Sequence, residues 1–214
     1  VRGTTSGAPR GVSLTGNTIG PNAPGGTTRH AIAFSNNDGQ PFLDVLVSGN
    51  KVTGPGIDDK DPSRAGTSDL ITLHQCRDFE VRDNVVTGSG EVGITVSQGS
   101  RDGGIAGNTC TKNDTAGITI GSSDSVGVST IIVEDNTCTD NGQNYGRSTI
   151  GAWAYAGITV FGADDITVRR NTLTTTTSGK QRFGLSVIGG SGVRVAKDNR
   201  ISGPVQKAVL HRRS

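Results

Sequence analysis

One short motif recurs seven times along the 214 residues of this chain. It reads VSLTGNTIG (12–20), VLVSGNKVTG (45–54), FEVRDNVVTG (79–88), GGIAGNTCT (103–111), IIVEDNTCT (131–139), ITVRRNTLT (166–174) and, with one extra residue, VRVAKDNRIS (193–202). Aligned on Asn17, Asn50, Asn84, Asn108, Asn136, Asn171 and Asn199, the intervals are 33, 34, 24, 28, 35 and 28 residues. A fixed unit separated by elastic insertions is the mark of a solenoid whose coils are constant and whose loops vary. Around each Asn the apolar residues alternate, as do Phe79 and Val81, so the flanks are strands with one face inward. An Asn between two short strands marks a turn, where tolerance of left-handed backbone and side-chain hydrogen bonds are both of use.

A second strand is interleaved with the first. AIAFSN (31–36), LITLHQ (70–75), GITVSQ (93–98), GITIGS (117–122), GITVFG (157–162) and GLSVIG (184–189) superimpose without gaps. Consecutive strands leave no room for helices between them. Coils therefore stack in parallel at about 4.8 Å per turn, and the asparagines are expected to form a hydrogen-bonded ladder along the axis.

The composition agrees with a thin, elongated core. There are 33 Gly, no Met, one Trp and only 31% hydrophobic residues, yet Val, Ile and Thr recur in alternating runs that a disordered chain would lack. A net charge of +2 gives no chain-wide field for nucleic acid. Arg82 and Arg169, each two residues before an Asn, are separated in their row by Ala106 and Glu134, so there is no basic stripe either. No apolar run approaches the roughly 18 residues that span a bilayer. Nucleic acid and membrane are thus not expected partners. The chain starts at Val1 and lacks Met, which suggests a mature form or a piece of a longer chain, any leader already removed. Three Cys argue against a disulfide framework. Cys110 and Cys138 each follow the Asn by two residues and should stack on adjacent coils, as buried thiols in preference to a bond between them.

These coils resemble the right-handed parallel β-helix of the pectate-lyase-like superfamily over nearly the whole chain, from about residue 11 to about residue 205. That superfamily includes pectate and alginate lyases, mannuronan C5-epimerases, polygalacturonases and phage tailspikes. The resemblance implies an all-β fold, a single right-handed parallel β-helix solenoid of about seven to eight coils spanning 1–214. It also implies a secreted or cell-surface protein with a polysaccharide partner. Superfamily members commonly cover the first coil with an amphipathic helix, whereas VRGTTSGAPRG has Gly, Pro and no helical period. The end KAVLHRRS is equally slight, so capping of the ends by another segment or subunit is expected.

Stacking also creates rows. Along the second strand an outward row reads Ala33, Thr72, Thr95, Thr119, Thr159, Ser186, which is good strand chemistry and also a regular hydroxyl surface for a sugar chain. Beside it run Ser35, His74, Ser97, Gly121, Phe161, Ile188 on one side and His30, Asp69, Val92, Ala116, Ala156, Phe183 on the other. His30 and His74 thus share a face on adjacent coils, with Asp69 stacked beside His30. The insertion TGPGIDDKDPSRAGTS (53–68) leads into this strand with Lys60 and Arg64. Removing the proton next to a uronate carboxylate needs a cation and a base. Lys60 or Arg64 would hold the carboxylate, His74 would take the proton, and Asp69 with His30 would support it. The alternative is a mixed-charge surface loop beside two ordinary histidines.

The subfamily signatures are not intact. The epimerase pattern Tyr-Gly-x-Asp-Pro-His is met only by Asp61-Pro62, followed by Ser63, and the Gly-His-Gly of polygalacturonases is absent. No cofactor is implied with certainty. Calcium is the metal to consider, since Asp58, Asp59 and Asp61 could ligate it, but they lack the spacing of a dedicated loop. A second candidate region, DNGQNYGRSTIGAWAYAG (140–157), gathers Tyr145, Trp153 and Tyr155, with Phe161 just beyond. Such rings stack on the apolar faces of sugars, or they fold a small core of their own. Two functions follow. One is a polysaccharide lyase or C5-epimerase acting on uronate-containing glycans. The other is a non-catalytic glycan-binding or adhesive solenoid of the tailspike or surface-protein kind.

Overall fold

A computed structural model describes residues 7–21, 30–35, 39–54, 69–122, 127–143, 151–176 and 181–212. Among them, 21 strands form three parallel seven-stranded sheets wound around one narrow core. Every coil contributes one strand to each sheet. The back sheet holds Ser13–Thr15 (β1), Phe42–Ser48 (β4), Cys76–Arg82 (β7), Arg101–Ala106 (β10), Ser129–Glu134 (β13), Asp164–Arg169 (β16) and Arg194–Val195 (β19). After the Asn corner comes a side sheet of short strands, Thr18–Ile19 (β2), Lys51–Thr53 (β5), Val85–Thr87 (β8), Thr109–Thr111 (β11), Thr137–Thr139 (β14), Thr172–Thr174 (β17) and Arg200–Ser202 (β20). The G-I-T-V strands form the front sheet: Ile32–Phe34 (β3), Ile71–His74 (β6), Ile94–Ser97 (β9), Ile118–Gly121 (β12), Ala156–Phe161 (β15), Phe183–Ile188 (β18) and Lys207–Arg212 (β21).

The asparagine ladder runs through all seven coils. Each Oδ1 accepts both the backbone N–H and the Nδ2–H of the Asn one coil earlier, as Asn108 does from Asn84 at 3.0 and 2.9 Å. The Nδ2 of Asn108 in turn donates to Asn136 Oδ1 at 3.0 Å and to the Val81 carbonyl at 2.8 Å. Two donors and two acceptor sites are all satisfied, which is what a fully buried amide requires. The left-handed corner is not at the Asn itself. The residue before it carries the positive φ: Gly16 67°, Gly49 65°, Asp83 57°, Gly107 65°, Asp135 55° and Arg170 54°. Placing the turn one residue earlier frees the Asn to point inward.

A second ladder was not read from the sequence. Ser89 N–H donates to Asn113 Oδ1, Asn113 to Asn141 Oδ1, and Asn141 to Gln181 Oε1. The Gly of G-I-T-V has a packing cause. A Cβ at Gly93 would meet the Gly117 carbonyl at 2.6 Å, and one at Gly117 would meet Cys138 Sγ and the Gly157 carbonyl, each at 2.8 Å. Cys110 and Cys138 lie directly opposite one another and, with Cys76, are free and buried.

The sheets differ in what covers them. In the back sheet burial alternates, as in Cys76–Arg82, so one face is core and the other faces water. The front strands Ile94–Ser97 and Phe183–Ile188 are buried at every position. Something therefore lies over the outward face of the front sheet, and the expectation of an open hydroxyl ladder is corrected. Thr72, Thr95, Thr159 and Ser186 are buried, and among these hydroxyl residues only Thr119 is half-open.

Candidate functional site

The outward face of the front sheet carries a groove of about 560 Å³, within the range of small-ligand sites. Its floor is Thr95 and Thr119, which stand in register in β9 and β12. One wall is the row containing His74, Ser97, Gly121 and Phe161, paired coil to coil. The opposite wall holds Asp69, Glu91, Val92 and Thr115. The far end is closed by the segment from Gly151 through the 3-10 helix Ala152–Ala154, which brings the Trp153 indole onto Phe161 with ring centroids 4.5 Å apart and planes at 39°.

His74 and Asp69 therefore share a groove but do not touch. Five residues of extended chain put their Cα atoms up to about 16 Å apart, on opposite walls. The expected support of His74 by Asp69 is replaced by a different arrangement. The Asp69 carboxylate turns to the next coil, where Oδ1 accepts the Val92 N–H at 3.1 Å. It is the Asp69 backbone carbonyl that lies 3.1 Å from His30 Nδ1, a nitrogen that is also 3.0 Å from the Thr72 hydroxyl. His30 thus bridges two points of the neighbouring strand and is not itself part of the groove lining.

Electrostatics set the two walls apart. Burial pushes the Asp69 carboxyl above its ordinary value, and contacts with Thr95, Val92 and His30 only partly oppose this. Glu91 is raised to about 8 by burial first and by the Asp69 charge second. Glu91 was missed from the sequence, where a lone Glu in GSGEVG reads as a solvated turn. On the facing wall, burial and then the nearby His30 lower His74. At neutral pH the groove presents a neutral imidazole on one side and a protonated carboxyl on the other.

The remaining predicted residues fall as follows. Trp153 and Phe161 line the groove. Tyr155 is 1% exposed, so it presents no face to a ligand, a correction to its expected role. Lys60, Arg64, Tyr145 and the carboxylates Asp58, Asp59 and Asp61 lie outside the described residues. Among the described residues no group of three His, Cys, Asp or Glu is placed to hold a metal ion. No helix among them is long and apolar enough to cross a membrane.

Residues 4–211 match the family model for the right-handed beta helix region. The chain belongs to the right-handed β-helix family. Among solved structures, this β-helix is similar to the Dettilon tailspike protein, with 16% identity and a TM-score of 0.55, over 80% of this chain and 38% of that one. The alginate lyase from Paenibacillus sp. str. FPU-7 aligns over 95% of this chain and 87% of that one, with 15% identity and a TM-score of 0.40. The Azotobacter vinelandii mannuronan C-5 epimerase AlgE4 A-module aligns over 82% of this chain and 57% of that one, with 15% identity and a TM-score of 0.38. This β-helix thus spans well under half the length of the tailspike. A search of curated protein sequences gives no match.

Proposed function

We propose that this β-helix is a secreted, carbohydrate-active protein whose front groove binds a uronate-containing glycan and acts on it as a polysaccharide lyase or C5-epimerase. The observation that carries the reading is the pairing of a neutral His74 with a protonated Glu91 on facing walls of one groove. His74 takes the C5 proton of a uronate, and the electron pair of the broken C–H bond delocalises into the adjacent carboxylate. In elimination the C4–O bond then breaks and the leaving oxygen gains a proton. In epimerisation a proton returns to C5 from the opposite face. Glu91, protonated and on the other wall, is the proton donor for either outcome, its proton affinity held high by burial first and by the Asp69 charge second. Lys60 or Arg64 of the 53–68 insertion is the proposed counter-cation for the substrate carboxylate.

Alginate, pectate and a glycosaminoglycan, each with and without calcium, test this by ultraviolet detection of unsaturated uronate and by NMR of uronate configuration. Activity that His74→Ala loses supports the reading. A polymer that binds without any chemistry favours the second reading, a non-catalytic glycan-binding solenoid. That alternative is supported by the Trp153–Phe161 platform and by the absence of Lys or Arg among the described groove residues.

A further inference from the structure

The face that forms the groove does not end at Trp153. On the other side of its indole lies a second hollow of about 340 Å³, lined by Ala152, Trp153, Phe183, Gln206, Lys207, Leu210 and Arg212. Register shows that it is built from the same three rows. Lys207 pairs with Phe183 and Phe183 with Ala156, which continues the row of the Asp69 wall. Arg212 pairs with Ile188 and Ile188 with Phe161, which continues the row of the His74 wall. Leu210 pairs with Ser186 and Ser186 with Thr159, which continues the threonine floor.

The rows are shared, but the chemistry reverses. Where the groove has carboxyls and an imidazole, the second hollow has an ammonium and a guanidinium, one on each wall. Both side chains are exposed, and neither is paired with a carboxylate among the described residues. Gln206, which also lines the hollow, accepts the Arg182 Nε–H on Oε1 at 2.9 Å. Trp153 is the common partition, with an aromatic surface toward each compartment. From β6 to β21 is five coil steps, about 24 Å along the axis at the usual strand spacing, enough for several sugar residues in line.

We infer that the Lys207–Arg212 hollow is a distal subsite for an anionic sugar of the same glycan chain, binding its carboxylate or sulfate while other residues of the chain cross Trp153 into the groove. The inference rests on the groove being a glycan site. It adds a direction: the chain lies along the solenoid axis, with negative charge toward the C-terminal coils. A guanidinium binds a planar carboxylate or a sulfate by paired hydrogen bonds, and a lysine opposite it supplies a point charge.

The test is titration of the purified protein with oligoalginate, chondroitin sulfate and a neutral dextran oligomer, followed by Trp fluorescence and calorimetry. It compares wild type with the Lys207→Gln/Arg212→Gln double variant and with a remote control, Arg194→Gln. The double variant should bind the anionic chain about tenfold more weakly, with a shallower salt dependence, while dextran binding and the control are unchanged. Unchanged affinity for both in the double variant overturns the subsite, as does failure of wild type to bind either. If His74→Ala abolishes turnover while the double variant keeps the wild-type KM, the groove reading stands and the subsite falls. If the double variant loses binding although wild type turns nothing over, the subsite stands and the catalytic reading falls.

Discussion

The Trp153 indole lies 4.5 Å, centroid to centroid, from the Phe161 ring, and through this contact the segment before β15 is pinned across the front sheet. Phe161 belongs to the same row as His74, so the aromatic pair stands in line with the proposed base, three coils along. The two compartments of the face meet there.

Trp153→Ala should weaken glycan binding by about 2 kcal/mol, near 30-fold, the usual cost of truncating a central aromatic anchor. The fold should survive, because Trp153 is only half-buried and outside the coil core. Trp153 is the single tryptophan of the chain, so quenching or shift of its emission reports binding in wild type without a label. Equal affinity in wild type and variant, by calorimetry, would remove the platform from the account.

Asn108→Ala removes a buried amide and strands the groups it served. Asn84 loses acceptors for its N–H and Nδ2–H, and Asn136 and the coil below lose a donor. The expected cost is about 2–4 kcal/mol in urea unfolding. Asn17→Ala, at an exposed coil, should cost under about 1 kcal/mol. A ladder that mattered only for spacing would give the two variants the same small effect.

Glu91 fixes the sign of one pH dependence. Its folded carboxyl holds a proton up to about pH 8, well above the ordinary 4.5, so the folded state binds more protons than the unfolded chain between those values. The stability it favours is full below about 4.5 and is lost as pH rises through about 8, and Asp69 acts in the same sense. Glu91→Gln should flatten the decline between about pH 4.5 and about pH 8, a difference of at most about 5 kcal/mol. His74 acts oppositely, since its lowered value costs stability as pH falls below 6.5. Turnover that needs neutral His74 and protonated Glu91 should be bell-shaped, with its alkaline limb near pH 8. An alkaline limb that Glu91→Gln leaves in place would assign it to another group.

The three cysteines should be silent in the native protein. Burial pushes Cys76 up to about 12, and Cys110 is raised by its hydrogen bond with Cys138 and by burial. Ellman's reagent should titrate no thiol in buffer and all three in denaturant. Rapid reaction of any one without denaturant would mean that its coil opens.

Much of the fold was legible because the solenoid repeats its own rules. Seven asparagines and six G-I-T-V strands place the Asn corner and the rows of those six front strands, and the Cys110–Cys138 contact follows from register alone. The second ladder was harder to see, since the segment before Gln181 breaks the three-residue offset that puts Asn113 after Cys110 and Asn141 after Cys138. The site was legible only as a face. That His74 belongs to it follows from period two. That Asp69 turns its carboxylate to Val92, that Glu91 is half-buried, and that Tyr155 is buried depend on what lies over the sheet, which no periodicity encodes.

The most direct test of the central claim is proton NMR of oligomeric alginate and pectate incubated with the protein in deuterium oxide, beside His74→Ala. Both proposed reactions break the same C5–H bond, so one spectrum reads both. The account predicts either deuterium at C5 or a new vinyl proton at C4, present with wild type and absent with the variant. Polyuronate that binds in the groove yet keeps its C5 protons and shows no olefin would contradict catalysis there and leave a glycan-binding solenoid.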